Sequence, residues 1–158
     1  MNNELRNLYQ EVIIDHSKKP RNFRKIMNAT RTVEGFNPLC GDQLTLYVNI
    51  VDGVIEDVAF QGIGCAISKA SASIMTTTIK NKKREDVLSL FEYAHTLLTK
   101  GPSDEMKLEN AGKLEALSGV WEFPMRVKCA TLAWHTLYSA LETTGTQIST
   151  EYRDDHKA

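Results

Sequence analysis

The stretch 43–60, QLTLYVNIVDGVIEDVAF, decides the fold. Leu44, Leu46, Val48 and Ile50 alternate with polar or smaller residues, which is the period of a strand with one face buried. Asp52-Gly53 then gives a strong short-range hairpin signal, because both positions of a tight primed turn need positive φ. Residues 54–60 are predicted as the returning strand. If Asp52 and Gly53 alone form the loop, each step back along one strand is matched by a step forward along the other. That register sets Cys40 opposite Cys65 and Gly41 opposite Gly64, at the open end of the hairpin. Opposed residues in a ladder lie about 5 Å apart, so the two thiols are expected side by side.

Working outward, a further strand is expected over 31–36, making a meander of three antiparallel strands. Before it, Leu5, Leu8, Tyr9, Val12 and Ile13 fall at helical spacing and Lys18-Lys19-Pro20 stops the run. That apolar face could cover the chain's own sheet or dock on a partner. After Cys65, AISKASASIMTTTIK holds no Gly or Pro and predicts a helix with Ile67, Ala70 and Ile74 on one face. A second helix is expected over 85–99, ended by Gly101-Pro102 and carrying His95, which is read as a packed or surface histidine. Residues 101–113 read as a polar surface excursion, followed by a short helix near 114–118. Pro124 opens a long last helix with Val127, Ala130, Trp134, Leu137 and Leu141 as its stripe, and Cys129 near its start. Residues 143–158 lack periodicity and are expected to form a frayed tail behind one domain over 1–142.

The 158 residues suffice for one buried core, and 42% hydrophobic with 25% charged residues is the composition of an ordinary globular protein. A net charge of -1 offers no general attraction to nucleic acid or to an anionic membrane. No apolar run approaches the roughly 18 residues of a membrane span, and the amino terminus lacks a signal-peptide core. A cytoplasmic protein is expected. Three cysteines argue against a disulfide framework and leave reduced thiols, a metal site or a reactive cysteine.

The thiols share a predicted environment, since Cys65 precedes one helix and Cys129 lies in the early turns of another, where thiolates are stabilised. Arg126 and Lys128 add positive charge beside Cys129 and are expected to lower its pKa further. Three sulfurs with one carboxylate suit tetrahedral zinc, and Asp42 can project to the same side as Cys40. Spacing alone leaves this open against cysteines that merely pack, because none belongs to a CxxC pair. No phosphate-binding GxxxxGK[ST] loop and no HExxH occur, and Gly62-Ile63-Gly64 is too short for a dinucleotide fingerprint. His135, six positions after Cys129, points to another face of the helix and makes a poor base for a cysteine hydrolase.

The segments Asn37-Pro38-Leu39-Cys40-Gly41-Asp42, Gly62-Ile63-Gly64-Cys65-Ala66-Ile67-Ser68 with the following Ala-Ser-Ala-Ser, and Phe123-Pro124-Met125-Arg126-Val127-Lys128-Cys129-Ala130-Thr131-Leu132-Ala133-Trp134 resemble those of the IscU/SufU proteins of iron-sulfur cluster biogenesis. Each motif carries one cysteine, and the order is the family's. The resemblance implies an α/β (α+β) sandwich, a three-stranded antiparallel sheet packed against helices, and zinc held by Cys40, Asp42, Cys65 and Cys129. Lys128 stands where the scaffold branch has histidine, and the excursion of roughly 101–120 is absent from that branch. Both features resemble the SufU branch, in which a pyridoxal-phosphate cysteine desulfurase of the SufS type hands over sulfur. There the residue matching Cys40 leaves the zinc, a desulfurase histidine takes its place, and the freed thiol carries the persulfide to downstream iron-sulfur assembly proteins. The alternative is a scaffold that assembles a [2Fe-2S] cluster on the same ligands. The paired prolines of the scaffold's chaperone motif are missing before Lys128.

Overall fold

A computed structural model of the chain describes residues 3–103, 111–142 and 147–149. Helix α1 (Asn3–Lys18) leads to strands β1 (Arg31–Asn37), β2 (Asp42–Val51) and β3 (Val54–Ile63), then to helices α2 (Ala66–Ile79) and α3 (Arg84–Lys100). Two 3₁₀ turns, Gly112–Leu117 and Val120–Glu122, precede helix α4 (Pro124–Glu142), and a short β4 (Gln147–Ser149) follows. The three antiparallel strands and the long helices are the expected architecture. The fourth strand was not: within the stretch expected to fray, β4 pairs in parallel with β1 at Glu34–Phe36, giving the order β3-β2-β1-β4.

The hairpin turn is the expected one, with Asp52 at φ 52 and Gly53 at φ 76. Its first two pairs, Val51 with Val54 and Ile50 with Ile55, keep the expected register. A bulge between Asn49 and Ile50 then moves the ladder by one residue, so that Asn49 faces Asp57 and Gln43 faces Ile63, where pairing ends. Cys40 and Cys65 are therefore not ladder partners, nor are Gly41 and Gly64. The slip costs little burial, because Leu44, Leu46 and Val48 still face inward with Ile55, Val58 and Phe60.

Helix α4 lies over β1 and α2 over β3, while α3 packs on α4 and α1 on α2. The approach of α4 requires Gly35, because a Cβ there would stand 2.2 Å from Thr136 Oγ1 and 3.1 Å from Leu132. Ser71 on α2 donates to the Ala130 carbonyl on α4 at 2.6 Å, a buried tie between the helices that carry the second and third cysteine motifs. The outer face of the sheet is partly covered too, where Ile26 seals Tyr47 and Ala59.

Helix α1 sits on its own domain, though by fewer apolar residues than its stripe suggests: Val12 and Ile13 reach the core, while Leu5 and Leu8 are exposed. A polar anchor supplements them. His16, buried, holds Ser73 Oγ through Nδ1 at 2.7 Å, and the Arg21 N–H donates to the same hydroxyl. Burial, with lesser help from Arg21 and Lys113, lowers the His16 pKa to about 4 and keeps the ring neutral. His95 stacks on Phe91 and meets His135 edge-on, so both histidines belong to an aromatic cluster between α3 and α4. The excursion's residues 104–110 lie outside the described residues.

Candidate metal and sulfur site

The site begins at the turn between β1 and β2. Asn37 and Asp42 are a ladder pair, and the four residues between them form a closed loop. Cys40 N–H and Gly41 N–H both donate to the Asn37 carbonyl, at 3.2 and 2.8 Å. Pro38 favours extended backbone at Asn37, the last residue of its strand. Gly41, at φ 73, takes the left-handed conformation the loop needs before β2 starts. Cys40 is thereby presented to solvent.

Asp42 turns the other way and is 1% exposed. Its Oδ1 accepts the Cys65 backbone N–H at 3.0 Å, and its Oδ2 accepts from Asn37 Nδ2 at 3.3 Å. This carboxylate joins the start of β2 to Cys65, a tie through a side chain in place of the expected ladder pairing of Cys40 with Cys65. The same packing explains Gly64: a Cβ there would stand 2.6 Å from Asp42 Oδ1. Cys65 caps α2, and its Sγ accepts the Ser68 N–H at 3.4 Å. It is exposed.

Cys129 enters from the second turn of α4 and is buried. Its thiol lies 3.6 Å from the Cys40 sulfur and 3.8 Å from Asn37 Nδ2. Cys40, Asp42 and Cys129 offer donor atoms all within 4.8 Å of one another. The Cys65 thiol interacts with that of Cys129 but lies outside this set of three. A loop residue, a strand start and a helix residue thus converge, with the helix cap Cys65 tied to them through its backbone N–H on Asp42.

The electrostatics differ from expectation at Cys129. Burial first, then hydrogen bonds with Cys65 and Cys40, then the charges of Cys65 and Asp42 push its pKa far up. The direction is opposite to the lowering expected from Arg126 and Lys128. The Arg126 guanidinium lies over the Phe123 ring, 4.4 Å from its centroid, turned to an aromatic neighbour. Lys128, adjacent in the helix, is rotated about 100° from Cys129. Ionised thiols gathered round a buried carboxylate repel one another, and a cation relieves that repulsion. Cysteine sulfur and carboxylate oxygen are both donor types that zinc takes, so the residues present fit that ion.

Asn37 is the site residue whose role the motif reading missed. It opens the first cysteine motif, is 0% exposed and touches Asp42, Cys129 and the Cys40 loop. A signal was available: Val33, Gly35 and Asn37 share the inward parity of β1, and an amide at a core-facing position needs a polar partner. Apolar side chains also flank the cysteines in sequence and stand out to solvent, namely Leu39, Ile63, Phe123 and Met125. Among the described residues no helix is long and apolar enough to cross a membrane.

Comparison with known proteins agrees with this geometry. Residues 8–130 match the model of the NifU-like N terminal domain. The chain is 43% identical over 137 residues to the zinc-dependent sulfurtransferase SufU of Bacillus subtilis, covering 86% of this chain and 90% of that one. It is 41% identical over 135 residues to the iron-sulfur cluster assembly scaffold protein IscU of Thermotoga maritima, covering 85% and 93%. The crystal structure of a putative iron-sulfur cluster assembly scaffold protein for the SUF system from Fervidobacterium islandicum superposes with a TM-score of 0.77 at 39% identity, over 84% of this chain and 95% of that one. The NifU-like protein of Brucella abortus, at 18% identity and a TM-score of 0.76, shares the fold. Sequence motifs, architecture and relatives therefore converge, and the chain belongs to the NifU-like family of iron-sulfur cluster assembly proteins that includes IscU and SufU.

Proposed function

We propose that this chain is a zinc-dependent sulfurtransferase that takes persulfide sulfur from a SufS-type cysteine desulfurase and passes it into iron-sulfur cluster assembly. The observation that carries the reading is the inequality of the thiols: an exposed Cys40 on a turn lies 3.6 Å from a buried Cys129. Zinc, when bound, supplies the positive charge that keeps these thiols deprotonated. Cys65, Asp42 and Cys129 hold the ion from a helix cap, a strand start and a helix. Cys40 would be the ligand to depart: Cys65 is exposed too, but it caps α2 and its sulfur accepts the Ser68 N–H, whereas Cys40 sits on a four-residue turn. Its thiolate attacks the terminal sulfur of the desulfurase persulfide. A new S–S bond forms on Cys40, the old one breaks, and its electron pair leaves with the desulfurase cysteine, which takes up a proton. Arg126 and Lys128 remain at the α4 start as cations that can meet an anionic partner surface. The exposed Leu39, Ile63, Phe123 and Met125 give that partner apolar contacts around the thiols.

A second reading has support in the relatives, several of which are named cluster scaffolds at similar identity. It places a [2Fe-2S] cluster on the same four residues. Lys128 weighs against it, since an ammonium cannot ligate iron as an imidazole can. The test is a labelled-cysteine transfer assay with the desulfurase, combined with metal analysis. Persulfide label on Cys40 with one tightly held zinc per chain supports transfer. Label that persists in Cys40→Ala overturns the role of Cys40, and anaerobic reconstitution of a stable, transferable cluster favours the scaffold.

A further inference from the structure

We propose that Asn37 is a positioning residue for the metal site, its buried amide fixing the Asp42 carboxylate and the Cys129 sulfur and offsetting the negative charge of the ligand set. The proposal rests on the metal reading of this site. The geometry is unusually convergent for one side chain. Nδ2 lies 3.3 Å from Asp42 Oδ2 and 3.8 Å from Cys129 Sγ, while the residue's own carbonyl closes the Cys40 loop. Asp42 Oδ1 is held in turn by the Cys65 N–H. Asn37 therefore touches, directly or through Asp42, the segments that carry all four candidate ligands.

The chemistry favours an amide at this position. A divalent cation among three thiolates and a carboxylate leaves two negative charges uncompensated, and burying them is costly without hydrogen-bond donors. A carboxylate and a thiolate only accept, so the –NH₂ edge must face them, and it has two N–H groups for two acceptors. Each Asp42 oxygen takes one N–H and keeps a lone pair for a metal. An N–H placed on Cys129 reduces the electron donation of that sulfur. Groups that orient ligands in this way typically change metal affinity by about 10–100-fold when removed.

Asn37→Leu is the informative variant, since it keeps the branching at Cγ, with some added bulk, and removes both donors. The loop hydrogen bonds use the backbone carbonyl and survive the change. Zinc affinity, measured by competition with a chromophoric chelator, is expected to fall about 10–100-fold. In the cobalt-substituted variant the sulfur-to-metal charge-transfer bands are expected at lower energy, because a thiolate without its N–H donor gives up electrons more easily. A merely structural Asn37 would lower the melting temperature of the metal-free protein and leave those bands in place, which overturns the proposal. Should Asn37→Leu fail to fold, the wild type loaded with NMR-active cadmium decides: coupling between the Asn37 side-chain protons and the metal, carried through sulfur, is expected. Resolved Asn37 protons without coupling overturn the proposal alone. A wild type that takes up none of these metals overturns the metal reading and this proposal together.

Discussion

Cys40 and Cys129 bring their sulfurs within 3.6 Å of each other, yet they belong to regions built on opposite terms. Cys40 sits on the loop between the ladder partners Asn37 and Asp42 and faces solvent. Cys129 lies in a 19-residue helix and is followed by Ala130, Leu132, Ala133 and Trp134, all buried. Moving Cys129 would disturb that packing, whereas moving Cys40 disturbs a four-residue turn. A ligand set with one cheap and one expensive member can open in one direction only. The contrast also explains why burial raises the pKa of Cys129 and makes it a poor nucleophile without a cation.

The largest effect expected from this asymmetry is on sulfur acceptance. Cys40→Ala should reduce persulfide labelling to background in the desulfurase assay, while zinc is still bound, though less tightly, by the remaining three groups. Cys129→Ala should lose zinc first. If Cys129→Ala retains metal and Cys40→Ala still takes label, the two regions have been assigned the wrong way round. Next comes Asp42→Ala, which removes a ligand, takes its acceptor from the part-buried Cys65 N–H and takes one of its acceptors from the Asn37 amide. Zinc affinity should fall beyond the ~10–100-fold typical of changes behind the ligands, measured by chelator competition. An Asp42→Ala protein that is free of zinc yet fully active would break the zinc mechanism itself.

A smaller and sharper effect is expected at Gly64. Its φ is ordinary, so alanine meets no backbone strain there, but the added Cβ would stand 2.6 Å from Asp42 Oδ1. The carboxylate must rotate or the Cys65 turn must yield. Zinc affinity in Gly64→Ala is expected to drop about 10-fold, within the range for displaced ligand support. Gly41→Ala, where nothing lies within 4 Å but φ is 73, should instead cost about 1 kcal/mol of stability through backbone strain with little change in affinity. Chemical denaturation and metal titration of the two variants separate crowding on the helix side from strain on the loop side.

How much of this was legible beforehand follows the same division. Alternation and Asp52-Gly53 gave the hairpin, and the stop signals gave the helices, because local periodicity and turn chemistry act within a few residues. The bulge at Asn49/Ile50 was not legible, since the residue it leaves over, Glu56, is exposed and breaks no hydrophobic pattern. Proximity of Cys40 to Cys65 was anticipated by a register that the bulge removes; what is tied to Cys65 is Asp42, through its side chain. Cys129 could be joined to the others only through resemblance, because its approach depends on how α4 crosses β1. The strand β4 was missed for a similar reason: three residues pairing in parallel with β1 carry no period of their own. Asn37 was within reach, one residue beyond the expected end of its strand, had the inward parity been followed through.

The smallest expected difference concerns stability without metal, and it isolates the two regions from their shared ligand. Exchanging sulfur for oxygen at Cys40 alters an exposed group and should stay within about 0.5 kcal/mol, as surface changes usually do. The same exchange at Cys129 buries a more polar, smaller group among α4 neighbours that are close-packed. Its hydroxyl can keep one partner, Asn37 or Cys40, so the penalty is partial, about 1–2 kcal/mol. Urea denaturation of metal-free Cys40→Ser and Cys129→Ser, in reducing buffer, measures both. Equal and small losses would mean that Cys129 is no better anchored than Cys40, and then nothing in the protein itself would decide which thiol leaves the set.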